Sequence, residues 1–281
     1  MLNATLSVPS GPLPAQRVDV FVPQESADRP LVVCFHGGWW HAGGHADLRA
    51  LCLILAEHGW PCATVGMRHL AVAGGNTSDT GRNGTDLTDD AAAGMAKAVE
   101  EARLLGWNGN GIVTLGSGSG SLTALVLAHR SGKETKAGVP VRATIACGLT
   151  PSLDHHDGWA QALTKTIDQF AGSQRHALSP IHLKPEHYPP VLILHGDADV
   201  DVPAKLAQRF HQRLVEAGEP SQIAILAGVA HHFLEHPLQP AGRAAVEHLL
   251  PFLQGLVAPP VQSAEEWFVG HGAGSAERQL G

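Results

Sequence analysis

The stretch IVTLGSGSGSLTALVLAH, residues 112–129, places an apolar run, a turn of Gly and Ser and a second apolar run in succession. The first run is short and continuous, as in a parallel strand covered on both faces, and the second is long enough for a helix. A nucleophile elbow joins a strand to a helix with the pattern G-x-S-x-G, because small flanking residues relieve crowding in its strained turn. Gly116 and Gly120 occupy the flanking positions, and Gly118 stands where the Ser of the pattern belongs.

A register shifted by one residue is the alternative for this turn. It would make Ser119 the nucleophile, with Ser117 and Ser121 as its small flanking residues. Ala124 and Ala128 oppose the shift, because in the unshifted register these small side chains let the helix sit against the sheet. The pattern therefore favours Gly118 at the elbow, and it leaves Ser119 and Ser117 as alternative sources of a hydroxyl group.

The rest of the chain also alternates short apolar runs with helix-period stretches. This alternation is typical of parallel strands joined by crossover helices, so it predicts an α/β fold with a mainly parallel sheet of about eight strands. Strands are predicted at residues 18–22, 31–35, 61–65, 112–115, 141–147, 191–194 and 222–226. Helices are predicted at residues 47–58, 86–105, 122–129, 204–217 and 241–253, and the irregular residues 151–190, helix-like at 159–170, are predicted to form a small cap.

Further motifs follow predicted strands, at the edge where open α/β sheets bind their ligands. The segment HGGWW, residues 36–40, can turn sharply and direct backbone N–H groups at an oxyanion. The segments HGDADVDVP, residues 195–203, and GVAHHF, residues 228–233, supply a carboxylate and an imidazole after two successive strands. A carboxylate can fix the tautomer of an imidazole and stabilise its protonated form, so these segments predict an acid–base dyad.

Together these motifs resemble those of the α/β-hydrolases, most of all the esterase and arylformamidase-like branch with an H-G-G-x-W oxyanion motif. The matching segments span residues 18–255. The resemblance implies an acid at Asp199, with Asp197 and Asp201 as second choices. It implies a base at His231, with His232 as the alternative. The nucleophilic Ser of the family falls on Gly118, and the resemblance implies backbone oxyanion donors at Gly37, Gly38, Trp39 and Ser119.

A glycine at the elbow has no side chain with which to attack a carbonyl group. Four explanations stay open: an engineered Ser-to-Gly substitution, a neighbouring hydroxyl of Ser119 or Ser117, a dyad that acts on water or abstracts a proton, and an inactive relative retained for binding. The leading function is hydrolysis of a carboxylic ester or aryl amide. The alternatives are a nucleophile-free lyase or isomerase that uses the dyad as its base, and a non-catalytic small-molecule binder.

Other side chains near these motifs have weaker predictions. Trp39, Trp40 and Trp159 are predicted to line the substrate pocket, because large rigid aromatic rings give contact area at low entropic cost, although Trp40 equally fits structural packing. Arg68 follows a predicted strand, where it could contact substrate or an acid, and a structural ion pair is the favoured role. The pair His155-His156 has no Cys, His or carboxylate partner at metal-ligand spacing, so no metal and no cofactor are predicted.

Charge and motif content argue against several functions. The 281 residues include 19 Lys and Arg against 26 Asp and Glu, a net charge of −7, which disfavours binding to nucleic acid or to an anionic membrane surface. The Gly-rich turn lacks the Lys of a P-loop and the third Gly of a dinucleotide fingerprint, which disfavours nucleotide binding. The longest apolar runs are far shorter than the roughly 20 residues of a membrane-spanning helix.

One hydrolase domain is predicted at residues 1–256, followed by a C-terminal tail at residues 257–281. The composition of the tail provides no evident driving force for folding. The four cysteines lie in apolar segments without a C-x-x-C pair, which predicts buried free thiols in a reducing compartment. No signal peptide is recognised at the N-terminus, so a cytoplasmic location is expected. The expected partner is a small-molecule ester or amide, and a homodimer is left open.

Overall fold

An eight-stranded sheet forms the centre of the computed structural model, which describes residues 1–26, 28–71, 79–131, 138–155 and 157–257. The strands lie in the order β1, β2, β4, β3, β5, β6, β7, β8; β1–β2 and β2–β4 are antiparallel, and all later pairs are parallel. This confirms the predicted sheet. The strands are β1 Leu2–Pro9, β2 Arg17–Pro23, β3 Leu31–Phe35, β4 Cys62–Val65, β5 Ile112–Ser117, β6 Val141–Cys147, β7 Val191–Gly196 and β8 Ser221–Leu226.

Strand β1 was not predicted. It lies at the edge of the sheet, and exposed and half-buried residues follow one another along it, so it lacks the continuous apolar run of the inner strands. Its register with β2 is interrupted between Thr5 and Val8, and Ser7 has a φ of +55°. An interrupted edge strand has no strict two-residue hydrophobic period, which is the signal that sequence analysis uses.

The helices differ from their predicted bounds mainly at their ends. Helix α2 begins at Gly84 rather than Asp86, because the side chain of Asn83 caps it by accepting a hydrogen bond from the N–H of Thr85. In the described ranges, no helix is both long enough and apolar enough to cross a lipid bilayer. The helices are α1 Arg49–Glu57, α2 Gly84–Leu104, α3 Ser119–Ser131, α4 Thr164–Ala171, α5 Ala204–Glu216 and α6 Pro240–Val257.

Helices cover both faces of the sheet. Residues of α1 and α6 form one apolar cluster with side chains on one face of the sheet. Residues of α2 and α3 form a second cluster with side chains on the other face. Ala124 and Ala128 of α3 are fully buried in that second cluster. These small side chains therefore bring α3, and the turn that precedes it, close to the sheet, as the sequence analysis proposed.

Residues between β6 and β7 form the irregular segment predicted as a cap. Helix α4 lies here and contacts helix α2. Phe170 of α4 is fully buried and stacks on Trp40, with ring centroids 3.9 Å apart and an interplanar angle of 15°. This segment therefore packs directly on the HGGWW turn. The domain limits stay a prediction, and residues 258–281 of the predicted tail lie outside the described residues.

Candidate active site

Gly118 forms the turn between β5 and α3. The strand extends through Ser117 and the helix begins at Ser119, so the residue between them occupies the elbow. Its φ of +51° lies in the left-handed region that glycine adopts without strain. A Cβ on Gly116 would collide with the carbonyl of Gly120, so the flanking glycine is needed for space. This geometry supports the register in which Gly118, not Ser119, stands at the nucleophile position.

His231 faces Gly118 and is hydrogen-bonded to Asp199. Its Nδ1 lies 2.7 Å from Oδ2 of Asp199, and both side chains are buried. Because a carboxylate only accepts hydrogen bonds, this contact assigns the proton to Nδ1 and leaves a lone pair on Nε2. That Nε2 is buried and has no hydrogen-bond partner among the described residues, and a Cβ on Gly118 would lie 3.0 Å from it. The unpaired lone pair thus points at the place where a serine side chain would stand.

The carboxylate of Asp199 receives hydrogen bonds on both oxygens. The backbone N–H groups of Asp201 and Val202 donate to Oδ1, at 3.0 and 2.8 Å. On the other oxygen, Oδ2, the donors are His231 and His195, whose Nε2 lies 3.1 Å away. Burial favours the protonated acid, but the hydrogen bonds from His195 and His231 outweigh it and hold the pKa of Asp199 well below its usual range. The carboxylate is therefore ionised at neutral pH.

His195 was not assigned a role by the sequence analysis. Its side chain is fully buried, and its Nδ1 accepts a hydrogen bond of 3.1 Å from the N–H of Leu149. The ring proton is therefore on Nε2, which faces both the carbonyl of Val202, at 2.9 Å, and Asp199. His195 stands at the end of β7 and precedes the acid by four residues, a spacing that could have suggested the contact.

The alternative acids and base take other positions. Asp197 is exposed, and its Oδ1 accepts a hydrogen bond of 2.6 Å from the N–H of Gly228 instead of contacting a histidine. Asp201 is half-buried and contributes its N–H to Asp199. His232 is exposed, and its ring meets that of His231 edge-on at 4.9 Å. Of the residues that the sequence offered for the dyad, the structure brings together Asp199 and His231.

The HGGWW segment turns through positive φ values of +101° at Gly38, +50° at Trp39 and +63° at Trp40. Non-glycine residues in this region are strained and persist only where the surrounding structure holds them, often at ligand sites. Among the described residues, no backbone carbonyl accepts a hydrogen bond from the N–H of Gly38 or Trp39. The Cα of Gly37 would lie 3.8 Å from a Cβ on Gly118, so this turn borders the same space. These two N–H groups fit the predicted oxyanion role, which stays a proposal.

Of the three tryptophans predicted to line the substrate pocket, Trp40 and Trp159 are buried. Trp40 and Trp159 are 3% and 7% exposed and belong to one apolar cluster with residues of α3 and α4. Trp39 is only partly buried and stacks on His231, with ring centroids 5.2 Å apart and an interplanar angle of 12°. The ring of Trp39 thus contacts the dyad, whereas substrate contact by Trp40 and Trp159 stays a prediction.

Glu235 is a neighbour that the sequence analysis missed. Its Oε1 accepts a hydrogen bond of 2.7 Å from Oγ of Ser117 and would lie 3.2 Å from a Cβ on Gly37. Its Oε2 is buried and has no hydrogen-bond partner among the described residues. Ser117 is therefore engaged by this carboxylate, on the strand side of the elbow. No motif pointed to Glu235, because its position depends on how the loop after His231 folds back.

Arg68 forms the structural ion pair that the sequence analysis favoured. Its Nε and Nη2 donate to the two oxygens of Asp90 at 2.7 and 2.6 Å. Asp90 is buried and also accepts a hydrogen bond of 2.6 Å from Gln16. His155 pairs with Asp168, its Nε2 lying 3.2 Å from Oδ1, and His156 lies outside the described residues.

The comparison with known sequences identifies a hydrolase family. The sequence pattern of the prolyl oligopeptidase family matches residues 76–257. Isoprenylcysteine alpha-carbonyl methylesterase of Arabidopsis thaliana is 24% identical over 257 residues, which cover 83% of this chain and 58% of that protein. A probable isoprenylcysteine alpha-carbonyl methylesterase of Oryza sativa subsp. japonica is 25% identical over 268 residues, covering 87% of this chain and 62% of that protein. The chain spans about three fifths of the length of these curated relatives.

Solved structures confirm the predicted α/β-hydrolase fold. Esterase 2 of Thermogutta terrifontis with propionate bound has a TM-score of 0.68 at 22% identity, over 92% of this chain and 97% of that chain. Esterase B of Lactobacillus Rhamnosis has a TM-score of 0.75 at 14% identity, over 96% of this chain and 88% of that chain. At the level of family and fold, the prediction of a hydrolase-like protein is confirmed.

Proposed function

The chain belongs to the prolyl oligopeptidase family, and we propose that it hydrolyses a carboxylic ester or aryl amide through the Asp199–His231 dyad without a serine nucleophile. One observation carries this proposal. Nε2 of His231 is buried, has no hydrogen-bond partner among the described residues, and faces the space above Gly118. A buried imidazole whose Nδ1 is bonded to an ionised carboxylate and whose Nε2 carries an unpaired lone pair can act as a general base.

The attacking oxygen in this proposal is that of a water molecule above Gly118. Nε2 of His231 takes a proton from this water while its oxygen attacks the carbonyl carbon, and Asp199 stabilises the resulting imidazolium. The oxyanion of the tetrahedral intermediate accepts hydrogen bonds from backbone N–H groups of Gly38, Trp39 and Ser119. When the intermediate collapses, His231 returns the proton to the leaving alkoxide or amine. One water is consumed, and an acid and an alcohol or amine are released.

Without a serine nucleophile, the unaltered protein is expected to hydrolyse its substrate slowly. Triad hydrolases without their nucleophile retain roughly 10³- to 10⁴-fold acceleration over water, from the oxyanion donors and binding. We therefore expect slow turnover with no covalent intermediate. Esters are favoured over peptides as substrates, because the curated relatives are named methylesterases and the solved neighbours are named esterases. The ring of Trp39 beside His231 supplies an apolar surface for the acyl or aryl group.

The test compares three proteins: the unaltered protein and the variants Gly118→Ser and His231→Ala. Each protein is incubated with a fluorophosphonate and its intact mass is measured, and each is assayed with p-nitrophenyl acetate. We expect slow hydrolysis and no adduct for the unaltered protein, an adduct and at least about 100-fold faster hydrolysis for Gly118→Ser, and no hydrolysis for His231→Ala. The Cβ of the new serine stands at a φ of +51°, which is strained for a non-glycine residue, and it requires His231 to give way by a few tenths of an ångström.

Gly118→Ala is the matched control, because it adds the same Cβ at the same positive φ without the hydroxyl. We expect this variant to form no adduct and to lose the slow hydrolysis, since its methyl group fills the space proposed for water. Unaltered hydrolysis in Gly118→Ala would contradict water attack at this position. An adduct on Ser119 of the unaltered protein would overturn the proposal in favour of the shifted nucleophile. Absence of turnover in both the unaltered protein and Gly118→Ser would leave a binding protein.

A further inference from the structure

Three metal-ligating side chains meet on the cap, outside the proposed active site. Asp154, His176 and His182 each offer one ligand atom, and these atoms all lie within 4.8 Å of one another. Nε2 of His182 is 2.6 Å from Oδ2 of Asp154, and the rings of His176 and His182 have centroids 4.5 Å apart. The two histidines are exposed and Asp154 is half-buried, so a cation reaches all three side chains without opening the fold.

The backbone that carries these side chains is held by hydrogen bonds between two segments. The N–H of Leu153 donates to Oγ of Ser179 at 3.1 Å, and the N–H of Ile181 donates to the carbonyl of Pro151 at 2.9 Å. Ser179 is fully buried, and its hydroxyl donates to the carbonyl of Arg175 at 2.7 Å. Because both segments are already fixed, binding a cation requires side-chain rotation alone, which limits its entropic cost.

We propose that Asp154, His176 and His182 bind a divalent transition-metal cation of the zinc class. Two imidazole nitrogens and one carboxylate oxygen suit Zn²⁺, whereas Mg²⁺ and Ca²⁺ prefer oxygen ligands alone. Ligand atoms of a tetrahedral zinc site are about 3.3 Å apart, so the most distant pair needs to close by roughly 1.5 Å at most, and the His182–Asp154 pair, now 2.6 Å apart, needs to separate by about 0.7 Å. Three protein ligands leave the fourth position for water.

The position of this cluster in the fold indicates what a bound cation would do. Asp154 lies before helix α4, and His176 and His182 lie after it, so the cation would connect the two ends of the segment that contains α4. That segment packs on the HGGWW turn through the stacked rings of Phe170 and Trp40. The cation would therefore brace the cap over the site. Sequence spacing did not reveal the cluster, because 21 residues of irregular and helical chain separate Asp154 from His176.

The test measures cation binding directly. The 281-residue chain is stripped with EDTA, dialysed, and titrated with Zn²⁺ by calorimetry, with Co²⁺ as a spectroscopic probe and thermal unfolding as a second readout. We expect one Zn²⁺ per chain, visible ligand-field bands of low-symmetry Co²⁺, and an unfolding temperature that rises by about 5 °C at saturating Zn²⁺. Mg²⁺ at the same concentration is expected to change none of these quantities.

Variants locate the site. His176→Gln, His182→Gln and Asp154→Asn are each expected to weaken Zn²⁺ binding by at least about tenfold and to remove the rise in unfolding temperature. His187→Gln, an exposed histidine of the same segment outside the cluster, is the matched control and should bind like the unaltered protein. The substituted histidines are exposed, so folding is preserved, and circular dichroism verifies it. Equal Zn²⁺ affinity in the unaltered protein and in a variant lacking both His176 and His182 would overturn the proposal, because it would place the cation on other histidines.

Discussion

Asp199 is the residue at which hydrogen bonding decides a charge state. Two backbone N–H groups and two histidines surround its carboxylate, and the pKa of Asp199 is held below its usual range because the donors His195 and His231 outweigh the opposing effect of burial. A carboxyl group with a lowered folded-state pKa stabilises the protein above its unfolded pKa of about 4, and this contribution is lost as the pH falls through the lower folded pKa. The dyad is thus linked to acid stability.

Asp199→Asn tests this linkage. We expect the free energy of unfolding to fall by about 2 kcal/mol near pH 7, because an amide accepts weaker hydrogen bonds than a carboxylate. The difference between Asp199→Asn and the unaltered protein should shrink as the pH is lowered from about 5 toward 3. Urea unfolding at each pH measures it. Asp201→Asn makes the same change of charge two residues away and should show no such convergence; a difference independent of pH would show that Asp199 is not the linked group.

Helix α4 illustrates how one element positions the site from outside the sheet. Its Phe170 stacks on Trp40, which follows the turn that carries the proposed oxyanion donors. The same turn holds Trp39 against His231. One continuous set of contacts therefore connects the cap, the strained turn and the dyad. A loss of packing at α4 is expected to reach the turn through Trp40.

Phe170→Ala tests the packing of this element. The side chain is fully buried, so its removal is expected to lower the free energy of unfolding by about 4 kcal/mol through lost burial and the cavity left behind. The urea midpoint should fall while the slope of the unfolding free energy against urea stays unchanged. Leu104→Ala at the exposed end of α2 is the control, with an expected change within about 0.5 kcal/mol. A cost below about 1 kcal/mol for Phe170→Ala would show that α4 unfolds separately from the sheet.

At the scale of the whole molecule, the free cysteines report on the integrity of the core. Cys34, Cys52, Cys62 and Cys147 are free and buried. The sulfurs of Cys34 and Cys52 are 3.8 Å apart, well beyond the length of a disulfide bond of about 2.05 Å. Burial raises the pKa of Cys52, Cys62 and Cys147, and a hydrogen bond between Cys34 and Cys52, together with burial, raises the pKa of Cys34. Because the thiolate is the reactive form, all of these thiols should be inert in the folded state.

Labelling with 5,5′-dithiobis(2-nitrobenzoate) measures this directly. We expect no reaction of the native protein within the first minutes and release of four equivalents of thionitrobenzoate in concentrated urea. The rate in native buffer should follow global unfolding, so Phe170→Ala should accelerate it. Rapid labelling of a single thiol in the unaltered native protein would show that part of the sheet opens on its own.

Much of the fold was predictable because its signals are local. Buried parallel strands are continuous apolar runs, their helices keep a regular period, and the turn at Gly118 is defined by neighbouring glycines. Strand β1 was not predicted, because an exposed, interrupted edge strand lacks such an apolar run. The start of α2 was misplaced by two residues because the side chain of Asn83 outweighed the acidic residues that follow it.

The amino-acid sequence by itself determined the order of the elements, the glycine at the elbow and the small group of residues from which an acid and a base could come. The tertiary structure decided the rest: the choice of Asp199 among three aspartates, the second histidine on its carboxylate, the carboxylate of Glu235 beside Ser117, and the cluster of Asp154 with two histidines. These contacts join residues on separate loops. A local pattern records the conformation of its own segment, whereas the distance between two loops depends on how every intervening element packs.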